Sequence, residues 1–215
     1  MERKIEKVLE NWKNNTHRKA LMIKGARHVG KTYSISRFGE NNYEHYLKLD
    51  LRNEKFDEGF WKGQPKEIIR RITQRYPHFR AEKGRSLLFL DEIQDCPDAI
   101  SALKTLADDG TLAVVCSRSL PGPYEKSTRR YPVGYIHEET MHPMDFEEYL
   151  WAIGMNRDQT EEIKEHVSQR RPFDPCALHT IEKHYRQYLV IGGMPEVVRR
   201  SCTSDNAGDY IEAQD

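Results

Sequence analysis

The sequence predicts an α/β protein with a mostly parallel sheet flanked by helices, followed by a small helical segment. Three observations predict this fold class. Short, strongly apolar runs alternate with segments of helical periodicity, which is typical of buried parallel strands joined by crossover helices. A glycine-rich loop, GARHVGKT, directly follows the first of these runs. After about residue 140 only the helical spacing continues.

The composition of the chain limits both its compartment and its partners. Lys plus Arg and Asp plus Glu number 34 each, so no net charge draws the protein to nucleic acid or to an anionic membrane. The four cysteines are far apart and form no C-x-x-C pair, which indicates reduced intracellular thiols. The N-terminus lacks an apolar h-region, and no apolar stretch approaches the roughly 20 residues that span a bilayer. We therefore expect a cytoplasmic protein with no membrane partner.

The predicted first domain, residues 1–140, begins with a helix and continues with alternating strands and helices. An amphipathic helix that packs on this domain is indicated by the helical spacing of Ile5, Val8, Leu9 and Trp12. Strands are predicted over 20–24, 43–50, 86–91 and 112–116, and helices near 30–38, 65–76 and 98–108. Asp98, which follows Pro97, is the expected cap of the last of these helices.

The predicted helical C-terminal segment covers residues 141–215. Before it, residues 117–134 are rich in Pro, Gly, Ser and Arg, which predicts a long exposed loop leading to one more strand over 131–137. Asp145 then caps a helix whose apolar stripe consists of Phe146, Tyr149, Leu150 and Ile153. Helices over 158–170 and 175–190, a break at Gly192–Gly193 and a short helix from Pro195 complete the segment.

The loop GARHVGKT matches the Walker A pattern G-x-x-x-x-G-K-[ST], which binds nucleotide phosphates. Such a loop follows a buried strand and opens a helix, because its backbone N–H groups converge at the helix N-terminus. The flanking ALMIK and YSISRF satisfy both requirements, whereas a surface turn rich in Gly and Lys is the alternative. Gly25 and Gly30 let the backbone approach phosphate oxygens, Lys31 reaches the β and γ phosphates, and the Thr32 hydroxyl binds Mg²⁺. The predicted nucleotide-binding residues are Gly25, Ala26, Arg27, His28, Val29, Gly30, Lys31, Thr32 and Tyr33.

A second motif, SLLFLDEIQ at residues 86–94, places two adjacent carboxylates at the end of a buried strand. Asp91 would lie beside the loop and bind Mg²⁺ directly or through water, while Glu92 would orient and deprotonate an attacking water. The alternative is a solvated acidic turn. A kinase needs no glutamate directed at water in this position, so the pair favours hydrolysis. No N-K-x-D motif that selects guanine occurs in the sequence, so ATP is the expected nucleotide.

The fourth predicted strand, LAVVCSRS, ends in polar residues that suit the same site. In additional-strand ATPases a polar residue at this strand end hydrogen-bonds the attacking water or the γ-phosphate, so Ser117 or Ser119 is a candidate. Arg118 is a candidate for neutralising developing charge, in cis or toward a neighbouring copy of the chain. Arg129 and Arg130 are further candidates for such an arginine. For all three arginines the alternative is a solvated loop residue.

Five motifs together resemble the bacterial and archaeal AAA-type ATP-binding proteins that carry a C-terminal domain of unknown function with a nuclease-like fold. In chain order they are GARHVGKT, LLFLDEIQDCP, the SLPG turn, YPVGYIHEETMHPMDFEEYL and YLVIGGMPEVV. The resemblance covers about residues 1–200. It implies an additional-strand P-loop core of the AAA/STAND-like type, in which Asp91 is the Mg²⁺ aspartate and Glu92 the catalytic glutamate.

The sequence departs from that family in three places. His28 stands where the family usually has Gln, and Arg118 stands where a Gly usually precedes the serine of the fourth strand. The family also continues for roughly another domain beyond the polar ending SDNAGDYIEAQD. We therefore expect a truncated chain that lacks whatever activity the further domain provides.

Two other kinds of site find less support in the sequence. Cys176, His179 and His184 do not converge on zinc, because a helix turns about 100° per residue and directs His184 away from His179. A basic patch that could bind nucleic acid would consist of Lys126, Arg129, Arg130 and Arg170–Arg171. The alternative is that these residues are ordinary solvated surface residues.

The sequence thus predicts an ATPase in which Lys31, Thr32 and Asp91 bind MgATP and Glu92 activates water. Hydrolysis to ADP and phosphate would be coupled to movement of the helical segment or of a partner. Two alternatives stay open: an ATP-gated switch that turns over negligibly and recruits a protein partner, and a P-loop kinase. A homo-oligomer that supplies an arginine in trans is a further expectation.

Overall fold

The computed structural model describes residues 1–15, 19–120 and 134–202, which divide into two compact units. One unit is Ile5–Met141, and the other combines Met1–Lys4 with His142–Asp215. The first unit contains a five-stranded sheet, whereas the described residues of the second contain helices only. No helix in the described part of the chain is both long and apolar enough to cross a membrane.

The five strands form one sheet in the order β2-β3-β4-β1-β5, and the pairings between neighbours are parallel. Their bounds are β1 Ala20–Gly25, β2 His45–Asp50, β3 Ser86–Asp91, β4 Ala113–Ser119 and β5 Ile136–Thr140. β4 lies between β1 and β3, as the additional strand of the predicted fold class. Because parallel strands run in one direction, their carboxyl ends meet at one edge, where Gly25 lies opposite Ser119 and Asp50 opposite Asp91.

The burial of each strand follows its position in the sheet. All six residues of the inner strand β3 are buried, which explains its continuous apolar run. The edge strand β2 alternates instead: Leu47 and Leu49 enter the hydrophobic core, whereas Lys48 between them is exposed. The predicted α/β fold class with a mostly parallel sheet is confirmed.

Four α-helices among the described residues belong wholly or mainly to the first unit: α1 Lys4–Asn14, α2 Lys31–Asn42, α3 Pro65–Arg75 and α4 Pro97–Asp109. Ile5, Leu9 and Trp12 form the buried face of α1, as its spacing predicts. The prediction that Asp98 caps α4 is wrong. Cys96 is the N-cap and Pro97 occupies the first helical position, where its fixed φ suits the helix and its missing N–H costs nothing.

Two strand predictions need correction at their ends. β4 was expected to stop at residue 116, but it continues to Ser119 because two serines that resemble loop residues are buried and hydrogen-bonded. The last strand was expected over 131–137 and runs from Ile136 to Thr140. Positions 131–133, like most of the predicted loop over 117–134, lie outside the described residues.

The part of the second unit that the structure describes contains four helices, α5 Phe146–Ala152, α6 Arg157–Ser168, α7 Pro175–Ile191 and α8 Pro195–Ser201. Asp145 caps α5 as predicted, since its side chain accepts the Glu148 N–H while Glu148 accepts the Asp145 N–H. Glu148 is also bound by Arg3, and both side chains are about 6% exposed. The break between α7 and α8 lets Gly193 approach Met144 so closely that a Cβ on Gly193 would lie 2.1 Å from the Met144 carbonyl oxygen. A small core of Met144, Tyr149, Leu150, Ile191, Val197 and Val198 closes the unit.

Candidate active site

The Walker A loop connects β1 to α2 at the carboxyl edge of the sheet. Gly30 is the N-cap of α2 at φ 96°, a left-handed conformation that favours glycine, and it offers no side-chain acceptor to the first-turn N–H groups. Ala26, Arg27 and His28 at the tip of the loop are exposed, whereas Val29 is buried beneath it. The first turn of α2 therefore presents backbone donors in the arrangement that binds an anion.

Lys31 points back under this loop. It is only 4% exposed, and its Nζ donates to the carbonyl oxygens of Gly25 at 3.0 Å and Ala26 at 2.7 Å. A third acceptor, Ser119 Oγ, lies at 3.4 Å. Burial lowers the pKa of the Lys31 ammonium, although the nearby Glu92 and Asp91 act in the opposite direction.

Thr32 joins the loop to the acidic motif at the end of β3. Its Oγ1 lies 3.1 Å from Asp91 Oδ1, and Asp91 is only 4% exposed. The same carboxylate oxygen accepts a short hydrogen bond from the Ser117 hydroxyl of β4. Side chains of α2 and β4 thus converge on the Asp91 carboxylate of β3.

Glu92 directly follows β3 in a left-handed conformation, with φ 54°. This conformation aligns the Glu92 N–H with Ser117 Oγ at 2.9 Å and places its carboxylate 2.7 Å from Ser119 Oγ. Gln94 donates to the second carboxylate oxygen, and Arg52 lies 3.1 Å from that oxygen. Burial raises the pKa of Glu92, but the hydrogen bonds from Gln94 and Ser119, with the charges of Arg52 and Lys31, outweigh it and bring the pKa below its usual value.

The alternation of side chains along β4 separates its three candidate residues. Ser117 and Ser119 both reach the acidic pair, so they lie on one face of the sheet. Arg118 lies between them, half-buried, and its side chain therefore projects from the opposite face. The structure brings the two serines together with Lys31, Asp91 and Glu92 but does not bring Arg118 to them.

The remaining predicted residues are either exposed or outside the described part of the chain. Tyr33, at the third position of α2, is 60% exposed. Arg129, Arg130 and Lys126 lie outside the described residues. Arg170 and Arg171 are exposed just after α6.

Two basic side chains of this site were missed by the sequence analysis. Lys48 Nζ lies 3.1 Å from Asp91 Oδ2, and Arg52 bridges Glu92 and Asp95 at 3.1 and 3.2 Å. Lys48 gave no signal, because an exposed lysine between two buried leucines is ordinary for an edge strand. Arg52 follows the strand in a turn, and nothing in its neighbours distinguishes it from a solvated arginine.

The residues present fit Mg²⁺ and a nucleoside triphosphate. Mg²⁺ prefers oxygen ligands, and Thr32 and Asp91 offer a hydroxyl and a carboxylate whose oxygens are 3.1 Å apart. The phosphates fit the uncapped first turn of α2 beside the Lys31 ammonium.

Comparison with one solved structure supports the fold assignment. A Walker-type ATPase of Pyrococcus abyssi is 14% identical and has a TM-score of 0.52, with 99% of this chain and 70% of that chain covered. PCH-2 of C. elegans is 11% identical with a TM-score of 0.40, and the match covers 80% of this chain. The chain spans only 47% of the length of PCH-2. No curated protein matches the sequence.

A match to a protein family covers the part of the chain that carries the sheet and the site. Residues 17–150 match the family described as AAA domain, which is more than half of the 215 residues. The sheet order, with β4 between β1 and β3, is that of a P-loop nucleotide-binding fold. The chain belongs to the AAA domain family.

Proposed function

We propose that the protein binds ATP together with Mg²⁺ and hydrolyses it to ADP and phosphate, with Ile5–Met141 as the nucleotide-binding unit. The observation that carries this proposal is the 3.1 Å contact between Thr32 and Asp91, with Glu92 the next residue along the chain. This contact joins the Walker A loop to the carboxylate that would bind Mg²⁺, and the next residue supplies the carboxylate that would activate water. Family membership makes nucleotide binding the expected activity of this edge of the sheet.

Each residue of the loop has a proposed role in binding the phosphates. The backbone N–H groups from Ala26 to Tyr33 would surround the β and γ phosphates, and Gly30 gives the loop its left-handed turn. Lys31 would exchange its contacts with two loop carbonyls for contacts with phosphate oxygens. Thr32 and Asp91 would bind Mg²⁺, which neutralises charge on the phosphates when bound.

Glu92 is the proposed general base. Its lowered pKa keeps the carboxylate ionised at neutral pH, so it can accept a proton from the attacking water. Ser119 donates to this carboxylate and also lies near Lys31, so it would orient Glu92 relative to the γ-phosphate. Ser117 would act as a positioning residue, since it bonds both the Asp91 carboxylate and the Glu92 N–H.

An arginine from elsewhere would complete this site. Arg118 projects from the opposite face of the sheet, which favours a source other than Arg118 of the same chain. We infer that a neighbouring copy in a homo-oligomer supplies the arginine, and that hydrolysis is coupled to a conformational change in the helical unit or in a partner. Such a trans contribution raises the specific activity as the protein concentration rises.

A second candidate function is a nucleotide-gated switch with negligible turnover. The observation that favours it is the environment of Glu92, which is bound by Arg52, Gln94 and Ser119 at the same time. A carboxylate that makes three such contacts is a weaker base for water until one of them is released.

Binding of MgATP and release of phosphate by the wild type, Lys31→Ala and Glu92→Gln distinguish these functions. We expect Lys31→Ala to lose nucleotide binding, and Glu92→Gln to bind like the wild type while its turnover falls by about a hundredfold or more. Unchanged ATP affinity in Lys31→Ala would contradict the binding site. Hydrolysis by Glu92→Gln at the wild-type rate would assign the base to another residue. Tight binding without phosphate release at any protein concentration would establish the switch.

A further inference from the structure

Lys48 is a basic residue of β2 that reaches the proposed metal site. Tyr46, two residues earlier on the same strand, donates a hydrogen bond from its hydroxyl to Ser36 of α2 at 3.0 Å. Alternate residues of a strand share a face, so Lys48 lies on the face that carries α2 and the Walker A loop. Its Nζ is 3.1 Å from Asp91 Oδ2 and 5.9 Å from the centre of the Phe89 ring beneath it.

The two oxygens of the Asp91 carboxylate have different partners. Oδ1 accepts hydrogen bonds from the hydroxyls of Thr32 and Ser117, which are neutral. Oδ2 contacts the Lys48 ammonium, which brings a full positive charge. The Asp91 side chain is only 6% exposed, whereas that of Lys48 is 34% exposed. Lys48 thus neutralises a carboxylate that water hardly reaches, and the lysine side chain itself is partly exposed to solvent.

A divalent cation at Thr32 and Asp91 would meet this ammonium at the same carboxylate. Two cations a few ångströms apart repel strongly where little water lies between them. The flexible stem of a lysine and its partial exposure give the ammonium an alternative position in solvent. Binding of the metal ion therefore requires the ammonium to leave Oδ2, and the free energy of the lost ion pair weakens the metal site.

We propose that Lys48 is an intramolecular competitor of the divalent cation at Asp91 and sets the concentration of Mg²⁺ that nucleotide binding requires. The inference rests on the proposed function, because it concerns the same site. In the absence of metal, Lys48 stabilises Asp91 next to the like-charged Glu92. When Mg²⁺ is abundant, the metal ion replaces the ammonium.

Binding of Mn²⁺ alone, followed by the electron paramagnetic resonance signal of the free ion, tests this competition without catalysis. We expect Lys48→Met to bind Mn²⁺ about tenfold more tightly than the wild type, because the repulsion is removed. Lys48→Arg retains the charge and should resemble the wild type. Binding of a fluorescent ATP analogue should likewise reach its midpoint at a lower Mg²⁺ concentration in Lys48→Met. Lys48→Gln provides a second neutral variant in case the Met variant folds poorly.

Lys24→Met is the matched control. Lys24 is also a strand lysine paired with a carboxylate of the adjacent strand, Glu138 at 2.7 Å, and its side chain is 32% exposed. Its removal should leave the Mn²⁺ affinity unchanged. In an Asp91→Asn background, Lys48→Met should no longer raise the affinity.

Four results would overturn the inference. Mn²⁺ affinity in both neutral variants that equals or falls below the wild-type value would exclude competition. A gain that persists in Asp91→Asn would assign the effect to the general field around the site rather than to this carboxylate. A wild type that binds neither Mn²⁺ nor nucleotide would overturn the proposed function and this inference together, whereas normal nucleotide binding with an unchanged Mg²⁺ midpoint would overturn the inference alone.

Discussion

At the scale of single residues, Gly25 is required for a reason that its motif does not indicate. The Walker A pattern places a glycine there so that phosphate can approach the backbone. In this chain a Cβ on Gly25 would lie 2.2 Å from the carbonyl oxygen of Met141, just after β5. The adjacent Lys24 carbonyl accepts the Met141 N–H at 2.7 Å, so the two segments cannot easily separate. Gly25 is therefore needed for packing even before any nucleotide binds.

Replacing Gly25 with Ala should destabilise the first unit by about 1–3 kcal/mol, because the new methyl group must displace a hydrogen-bonded backbone. Gly84→Ala is the control: it has open space around it and a φ of 78°, so it tests backbone strain without a steric contact. Urea denaturation of both variants without nucleotide gives the comparison. A smaller loss for Gly25→Ala than for Gly84→Ala would show that the Met141 segment yields easily.

The residues of the site divide into those that a sequence can predict and those that it cannot. Lys31, Thr32, Asp91 and Glu92 belong to motifs whose local geometry follows from a strand, a turn and a helix. Lys48 and Arg52 reach the site only because β2 pairs with β3, and that pairing is between segments far apart in the chain. Their contacts depend on register, which no local pattern determines.

At the scale of elements, helix α5 shows how a local signal determines a boundary. The Asp145 side chain and the Glu148 side chain each bond the backbone N–H of the other, at 2.9 and 3.2 Å. Such a capping box needs only two residues three positions apart, so it was predictable from the sequence. β4 is the opposite case, because its last residues are held by hydrogen bonds to Asp91 and Glu92, which are far from β4 in the sequence.

Asp145→Ala should weaken α5 by about 1 kcal/mol, whereas Asp145→Asn should keep most of the stability because Asn is an equally good N-cap. The Asn variant loses only the exposed ion pair with Lys4, which contributes little. Hydrogen exchange at the Glu148 N–H measures the difference, and exchange should be several-fold faster in the Ala variant. Equal acceleration in both variants would attribute the effect to the ion pair.

The same side chain makes α5 sensitive to acid. Burial raises the pKa of Asp145, but the hydrogen bond from Lys4 and the capping bond from Glu148 outweigh it, so the pKa lies below the usual 3.8. A carboxyl group whose pKa is lower in the folded state than in the unfolded state stabilises the fold, and the effect is complete at a pH above the unfolded-state pKa. This stabilisation is lost as the pH falls through the pKa of Asp145 in the folded state. The Asp145→Ala variant lacks it at any pH.

At the scale of the whole molecule, the four cysteines differ in their access to solvent. Cys116 is fully buried in β4, and its Sγ donates to the Leu21 carbonyl of β1. Burial, with a smaller effect from Glu138, raises the pKa of its thiol far above the usual range. Cys176 and Cys202 are exposed, and Cys96 is intermediate.

A thiol-specific reagent should therefore label Cys176 and Cys202 of the native protein rapidly, Cys96 more slowly, and Cys116 only when the sheet opens. The measurement is mass spectrometry of peptides over time, with denatured protein as the control in which all four react. Bound nucleotide should slow the labelling of Cys116 further, because a ligand that binds only the folded state lowers the population of open states. Labelling of Cys116 at the rate of Cys176 would contradict the buried position of β4.

The position of β4 in the sheet also has a consequence for the newly made chain. Within the described residues, β1 pairs with two strands that follow it much later, since Leu21 lies beside Val115 of β4 and His137 of β5. During synthesis the apolar segment ALMI therefore emerges from the ribosome long before either of its partners exists. Non-local pairing of this kind slows folding and leaves an unpaired strand exposed to other chains. The same arrangement that brings the carboxyl ends of the strands together makes the nascent protein dependent on rapid completion of the first unit, or on chaperones that cover β1 until Ser119 and Thr140 have been added.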